Sequence, residues 1–168
     1  MSEVVPVARA ESSPALRLLM WGALLVLLAA ALVPVSWEEP PPRWPLLALA
    51  AGLAVWFQLA PRRLAYTLES NALIITRLTG RTVLPYTQIT ARRSAGRLGI
   101  RTFGTGLPGY LTGHFTFGPD TVSRVQAAAS RSAEGVVVER GGTAFFLTPA
   151  DPDAFLRSLA ERGVTVTA

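Results

Sequence analysis

Residues 101–118 have the sequence RTFGTGLPGYLTGHFTFG. Within this stretch, residues 104–109 match G-x-G-x-x-G, the spacing of a dinucleotide-binding fingerprint. That fingerprint needs a helix opening at its third glycine, because the helix N-terminus holds the pyrophosphate. Here Pro108 precedes the third glycine, and residues 110–115 continue as a predicted strand. We therefore interpret the glycines as structural, allowing a tight loop and a bent strand. They are Gly104, Gly106, Gly109 and Gly113.

Strand signals continue on both sides of this glycine segment. Apolar and polar residues alternate in short runs that are separated by turn residues, which is typical of antiparallel strands. The clearest pair is joined by Gly141-Gly142, a strong signal for a two-residue hairpin. The predicted strands are 64–68, 73–78, 82–84, 135–140 and 143–147.

One helix is predicted near the end of the chain. Asp151 can cap it, Pro152 suits its first position, and Gly163 fits its C-terminal stop. Its apolar residues fall on one face. Short antiparallel strands followed by one amphipathic helix predict a curved sheet or a small barrel plugged by that helix.

This order of motifs resembles the bacterial pleckstrin-homology-like (bacterial PH) family. The resemblance lies in the glycine segment 101–118, the strand pair after it, and LTPADPDAFLRSL at 147–159. It covers about residues 62–162. It implies a mainly β fold: a strongly bent, seven-stranded antiparallel barrel closed by a C-terminal α-helix. It brings no catalytic residues, and the family's ligands are largely unknown, so phosphoinositide binding is not carried over.

Two long uncharged runs precede this domain. The first spans 18–37 and the second 44–61, which correspond to about 30 Å and about 27 Å of helix, against a bilayer core of about 30 Å. All four tryptophans lie near the ends of these runs, as in interfacial belts. We predict transmembrane helices at 18–36 and 44–61. The alternatives are core helices of a soluble protein, or a signal peptide cleaved near Val35 with only the second run spanning.

The distribution of arginines predicts the orientation of these helices. The short external turn 37–43 contains only Arg43, whereas Arg9, Arg17, Arg62 and Arg63 flank the opposite side. Both termini are therefore predicted to be cytoplasmic, in a multi-pass protein of the inner membrane. The remaining predicted boundaries are a mobile cytoplasmic tail at 1–17, the PH-like domain at 62–163 and a C-terminal tail at 164–168.

Composition limits the chemistry that the chain can perform. Only 16% of its 168 residues are charged, mean hydropathy is +0.36, and the net charge is +5. The chain has no cysteine, no lysine and a single histidine, His114. This excludes disulfides, thiol catalysis, Schiff-base chemistry and most metal sites. The acidic residues are scattered, and those at the predicted helix start are explained by capping. We predict a non-enzymatic protein without cofactor or metal.

The strongest functional signal is a group of clustered arginines, Arg92, Arg93, Arg97 and Arg101. They predict a contact with phosphates or lipid headgroups, unless they form an ordinary solvated face. Nucleic acid is not expected, because no aromatic residue interleaves the cluster.

We therefore predict a membrane-anchored interaction module that presents its PH-like domain to a protein partner or to copies of itself. The alternative is anionic-lipid binding by the arginine cluster. A more distant alternative is an enzyme centred on His114.

Overall fold

A computed structural model describes residues 2–9, 14–32 and 44–167. The chain divides into two compact units. One is helical and comprises Ser12–Leu59; the other is mainly β and combines Met1–Glu11 with Ala60–Ala168. The predicted turn at 37–43 and the end of the first predicted span lie outside the described residues.

The helical unit contains two apolar helices. They are α1 (Pro14–Leu32) and α2 (Trp44–Leu59). By length and composition alone, one helical segment among the described residues could cross a membrane. This segment, Trp44–Arg63, has a mean hydropathy of 1.4. The apolar part of α1, Leu18–Leu32, is shorter. α1 begins at Pro14, four residues before the predicted start of the first span, and α2 ends two residues before the predicted end of the second. The two-span hairpin stays a prediction.

The β unit contains eleven strands and one α-helix among the residues described. A four-stranded sheet has the order β1-β2-β3-β4, and a seven-stranded sheet has the order β11-β5-β9-β10-β8-β7-β6. Short 3-10 helices occupy Pro61–Arg63 and Tyr86–Gln88. The elements are β1 (Glu3–Val5), β2 (Ala65–Leu68), β3 (Ala72–Arg77), β4 (Gly80–Pro85), β5 (Thr90–Arg93), β6 (Arg97–Leu107), β7 (Tyr110–Gly118), β8 (Arg124–Ala129), β9 (Val136–Arg140), β10 (Thr143–Leu147), α3 (Pro152–Glu161) and β11 (Thr165–Thr167).

Local sequence signals fixed the hairpin and the terminal helix as predicted. Arg140 pairs with Thr143 across the turn, where Gly141 and Gly142 both have positive φ, as a tight hairpin turn requires. The Asp151 carboxylate accepts hydrogen bonds from the backbone N–H groups of Asp153 (3.0 Å) and Ala154 (2.9 Å). These bonds satisfy donors that a helix start otherwise leaves without partners.

The central strands β9 and β10 of the seven-stranded sheet are buried on both faces. On β9, Val136 and Val138 join a core with α3 and the four-stranded sheet, whereas Val137 faces a second cluster with Phe146. Tyr66 crosses the first core: its hydroxyl donates to the carbonyl of Ala128 and accepts from the N–H of Thr148. Burial raises the pKa of Tyr66 to about 12, although the hydrogen bonds to Thr148 act in the opposite direction.

Both predicted tails contain strands, so the prediction of a mobile tail is wrong for residues 2–9. β1 pairs antiparallel with β2, Val5 is buried, and Glu3 forms an ion pair with Arg162 at 2.7 Å. At the other terminus, β11 pairs in parallel with β5. Edge strands of three residues show neither a helical period nor a long apolar run in their sequence. For this reason, both segments were predicted to be tails.

The strand number and the pairing also differ from the prediction. The resemblance implied seven antiparallel strands, whereas the described part of the chain has eleven. Two of the additional strands are the terminal β1 and β11. In addition, β10 pairs in parallel with β8. Two sheets closed by a C-terminal helix nevertheless fit a PH-like fold.

Candidate functional site

The four clustered arginines occupy two different environments. Arg92 on β5 forms a two-pronged ion pair with Asp120, and its Nε lies 3.5 Å from a carboxylate oxygen of Glu139. The Arg92 side chain is only 16% exposed. Because its guanidinium already holds two carboxylates, Arg92 stabilises the domain and has little surface left for a ligand.

Asp120 completes a local network around the loop between β5 and β6. Burial by itself would raise the pKa of Asp120, but hydrogen bonds from Arg92 and Ser94 outweigh this effect. The pKa is therefore held well below its ordinary value of 3.8. Ser94 extends the network, because its hydroxyl donates to Asp120 and accepts from the N–H of Gly96, each at 3.0 Å.

Arg93 is also paired, but at the surface. Its guanidinium binds the carboxylate of Asp153 in the first turn of α3, and both side chains are more than half exposed. The hydrogen bond that Arg93 donates to Asp153 is the main cause that raises the pKa of Arg93. Arg93 thus links β5 to α3.

Arg97 and Arg101 differ from the first two arginines. Both are exposed on β6, and among the described residues neither forms an ion pair with a carboxylate. The Arg101 guanidinium lies beside Gly106, where an added Cβ would be 2.8 Å from Nη1. Of the four predicted residues, only Arg97 and Arg101 thus have a charge that no carboxylate among the described residues neutralises. Their contact with phosphate or lipid stays a prediction.

The glycine segment forms the β6–β7 hairpin. Gly104 and Gly113 face each other across it, with φ of +108° and +113°. A Cβ at Gly104 would lie 2.1 Å from the carbonyl oxygen of Thr112, so the backbones approach too closely for any side chain. Gly109 turns the hairpin with φ +77°. Gly106 has no positive φ and faces only the flexible Arg101 side chain. The structural interpretation therefore holds for three glycines and is not required at Gly106.

β6 is a sheet edge that carries two large exposed apolar side chains, Ile100 (76% exposed) and Phe103 (75% exposed). Among the backbone contacts of the described residues, the edge is occupied only near its start, where the N–H of Leu98 donates to the carbonyl of Ser132 at 2.8 Å. Irregularities in the β6–β7 register fall between Leu98 and Arg101 and again between Arg101 and Phe103. Leu98 is buried, so regular alternation would also turn Ile100 inward. Sequence reasoning missed both exposed residues, because no pattern in the sequence marks these irregularities.

His114 is an exposed residue of β7, paired across the sheet with Phe103 on one side and Gln126 on the other. The described ranges contain no group of three or more His, Cys, Asp or Glu side chains that could hold a metal ion. His114 has Arg77 and Gln126 near it in a shared cleft, but no carboxylate lines that cleft. Within the described residues, the structure therefore places no carboxylate beside His114 that could act as the second acid or base of an enzyme.

A family model described as a bacterial PH domain matches residues 64–163, which is more than half of the chain. The protein therefore belongs to the bacterial PH domain family, as the resemblance indicated. No curated protein and no solved structure matches the sequence. A bacterial PH domain suggests a lipid or protein interaction module, and PH domains are generally non-catalytic.

Proposed function

We propose that this protein is a membrane-anchored, non-enzymatic module whose bacterial PH domain binds a protein partner at the cytoplasmic membrane face. The observation that carries the proposal is the edge of β6, where Ile100 and Phe103 are exposed beside Arg97 and Arg101. The other sheet edges, β1, β4 and β11, are three, six and three residues long, whereas β6 has eleven. A long edge with exposed apolar side chains is a template for pairing with another strand.

The open edge favours a protein over a lipid bilayer as the occupant. A partner strand beside β6 would satisfy its outward N–H and C=O groups while covering the apolar side chains. Burial of the same edge in hydrocarbon would leave those backbone groups without partners. Arg97 and Arg101 further favour a partner whose binding strand is flanked by acidic residues.

Membrane anchoring is supported by the helical unit. Large apolar side chains on α1 and α2 are widely exposed, for example Leu18 (73%) and Val55 (56%). Core helices of a soluble protein would bury such residues. The arginine distribution places the β unit on the cytoplasmic side in this proposal.

The test is photo-crosslinking in cells with the full-length protein. A photoreactive residue replaces Phe103, and the matched control carries it at Val83, which is 45% exposed on the β4 edge. Arg140 Nη1 already donates to the Val83 carbonyl at 3.2 Å, so that edge is partly occupied. We expect a discrete protein adduct from position 103 and none from position 83.

An adduct at twice the protein's own mass would identify a second copy of this chain as the partner. Equal adducts from both positions, or no protein adduct from either, would contradict the proposal. A phospholipid adduct at position 103 alone would instead favour the second candidate, binding of anionic lipid headgroups. That candidate is favoured by one observation, the absence of an acidic partner for Arg97 and Arg101 among the described residues.

A further inference from the structure

A cleft of about 530 Å³ lies where the end of the β3–β4 hairpin meets the face of the sheet formed by β6, β7 and β8. Its volume falls within the range of small-molecule sites, about 300–1,000 Å³. The hydroxyl of Tyr110 accepts a hydrogen bond of 2.8 Å from the N–H of Leu78 and so joins the hairpin end to β7. The cleft is thus bounded by regular strands.

Side chains that can donate hydrogen bonds line the cleft, and they belong to several elements. They come from β3, the turn that follows it, β6, β7 and β8. Cross-strand register places Phe103, His114 and Gln126 in one row, with Thr105 and Thr112 in the next. The polar side chains are Arg77, Thr79, Thr105, Thr112, His114 and Gln126.

Among the residues that the structure describes, no acidic side chain lines this cleft and neutralises the positive charge of Arg77. Arg77 donates one hydrogen bond, to the hydroxyl of Thr82, which carries no charge. Its Nε is buried and has no hydrogen-bond partner among the residues described. A buried donor without an acceptor is costly, and an incoming anion would supply an acceptor once the side chain adjusts.

Gly104 and Gly113 also line the cleft. An added Cβ at either position would lie about 2 Å from a backbone oxygen of the facing strand, so the close strand contact at the cleft requires glycine. The ring of Phe103 gives the same cleft an apolar wall.

We propose that this cleft binds an organic phosphate. A phosphate group accepts hydrogen bonds on several sides through three oxygens, which suits arginine, imidazole, amide and hydroxyl groups that come from different strands. The remaining volume and the Phe103 ring accommodate an organic portion. The cleft shares Phe103 with the proposed partner surface on β6, but Arg77, His114 and Gln126 lie on β3, β7 and β8, and phosphate binding does not require the partner protein. The phosphate could belong to a soluble ester or to a lipid headgroup.

The test is calorimetric titration of the full-length protein in phosphatidylcholine nanodiscs with glycerol 3-phosphate, at constant ionic strength. The test variant is Arg77→Gln. The matched control is Arg81→Gln, which removes the same charge from an exposed position on β4. We expect saturable binding for the wild type and Arg81→Gln, and at least a tenfold weaker affinity for Arg77→Gln.

A second variant, Gln126→Met, removes an amide from the cleft without altering Arg77 and keeps the test decisive if Arg77→Gln does not fold. We expect it to weaken binding by at least threefold. If phosphatidic acid in the nanodisc competes with glycerol 3-phosphate, the site takes the lipid phosphate; if it does not, the site takes the soluble ester. Absence of saturable binding to either phosphate, or equal losses for Arg77→Gln and Arg81→Gln, would overturn the proposal.

Discussion

Asp120 accepts hydrogen bonds from Arg92, Ser94 and Thr121, and its side chain is only 2% exposed. A carboxylate in such surroundings needs its cationic partner, because burial of an unpaired charge is costly. The same argument applies to Arg92, which is 16% exposed. These two residues are therefore best regarded as one structural unit.

Asp120→Asn is expected to lower the free energy of unfolding by about 3 kcal/mol, because it leaves the Arg92 charge facing only Glu139. Chemical denaturation of the full-length protein measures the change. Arg93→Gln is the control: its partner Asp153 is 58% exposed, so stability should change little. A larger loss for Arg93→Gln than for Asp120→Asn would contradict this assignment.

The same pair predicts a pH dependence. The pKa of Asp120 is lower in the folded state than its ordinary value of 3.8, so its contribution is complete above that pH and is lost as pH falls through the folded pKa. Wild-type stability should therefore decline more steeply with acidification than that of Asp120→Asn.

The sequence showed that the arginines are clustered, but it did not show which carboxylates they bind. Arg92 and Asp120 are 28 residues apart, and Arg93 and Asp153 are 60 apart. Only the register of β5 and the position of α3 bring them together. Sequence reasoning thus identified four candidate residues, and two of them have no acidic partner within the described part of the chain.

At the scale of the element, the β6–β7 hairpin depends on the paired glycines. Gly104→Ala is expected to destabilise the protein by about 3 kcal/mol or more, because it places a Cβ at positive φ, 2.1 Å from a backbone oxygen. Gly106→Ala should cost less than about 1 kcal/mol, since only the Arg101 side chain must move. Thermal unfolding of the two variants compares them directly. An equal decrease in melting temperature for the two variants would contradict the conclusion that glycine is required at position 104 and not at position 106.

Elements with strong local signals were predicted closely. The Gly141-Gly142 turn and the cap at Asp151 depend on residues within a few positions of each other, and both form as expected. β1 and β11 were missed because each is three residues long and is stabilised by pairing with a distant strand. The exposed positions on β6 were missed because they result from register irregularities.

At the scale of the molecule, the β unit is assembled from both ends of the chain. β1 precedes the helices in sequence, yet Val5 is part of the same core as Tyr66 and Phe155. Ala8 also donates from its N–H to the carbonyl of Thr148 at 2.9 Å. A fragment beginning at residue 62 would lack this strand, and so the experiments above use the full chain.

The family and the mainly β architecture were recognisable from glycine, proline and aromatic spacing, because these residues fix turns and helix starts. Arrangement in a membrane is a property of the chain and the bilayer together. Hydropathy and arginine distribution predict one arrangement, and that prediction can be measured.

The central claim is that two spans anchor a cytoplasmic interaction domain. Because the chain has no cysteine, single cysteines report sidedness without background. Pro41→Cys lies in the predicted external turn, and Arg157→Cys lies on the exposed side of α3. In spheroplasts of a bacterial host, a membrane-impermeant maleimide should label Pro41→Cys at once and Arg157→Cys only after lysis. Labelling of Arg157→Cys in intact spheroplasts, or protection of Pro41→Cys, would contradict the account.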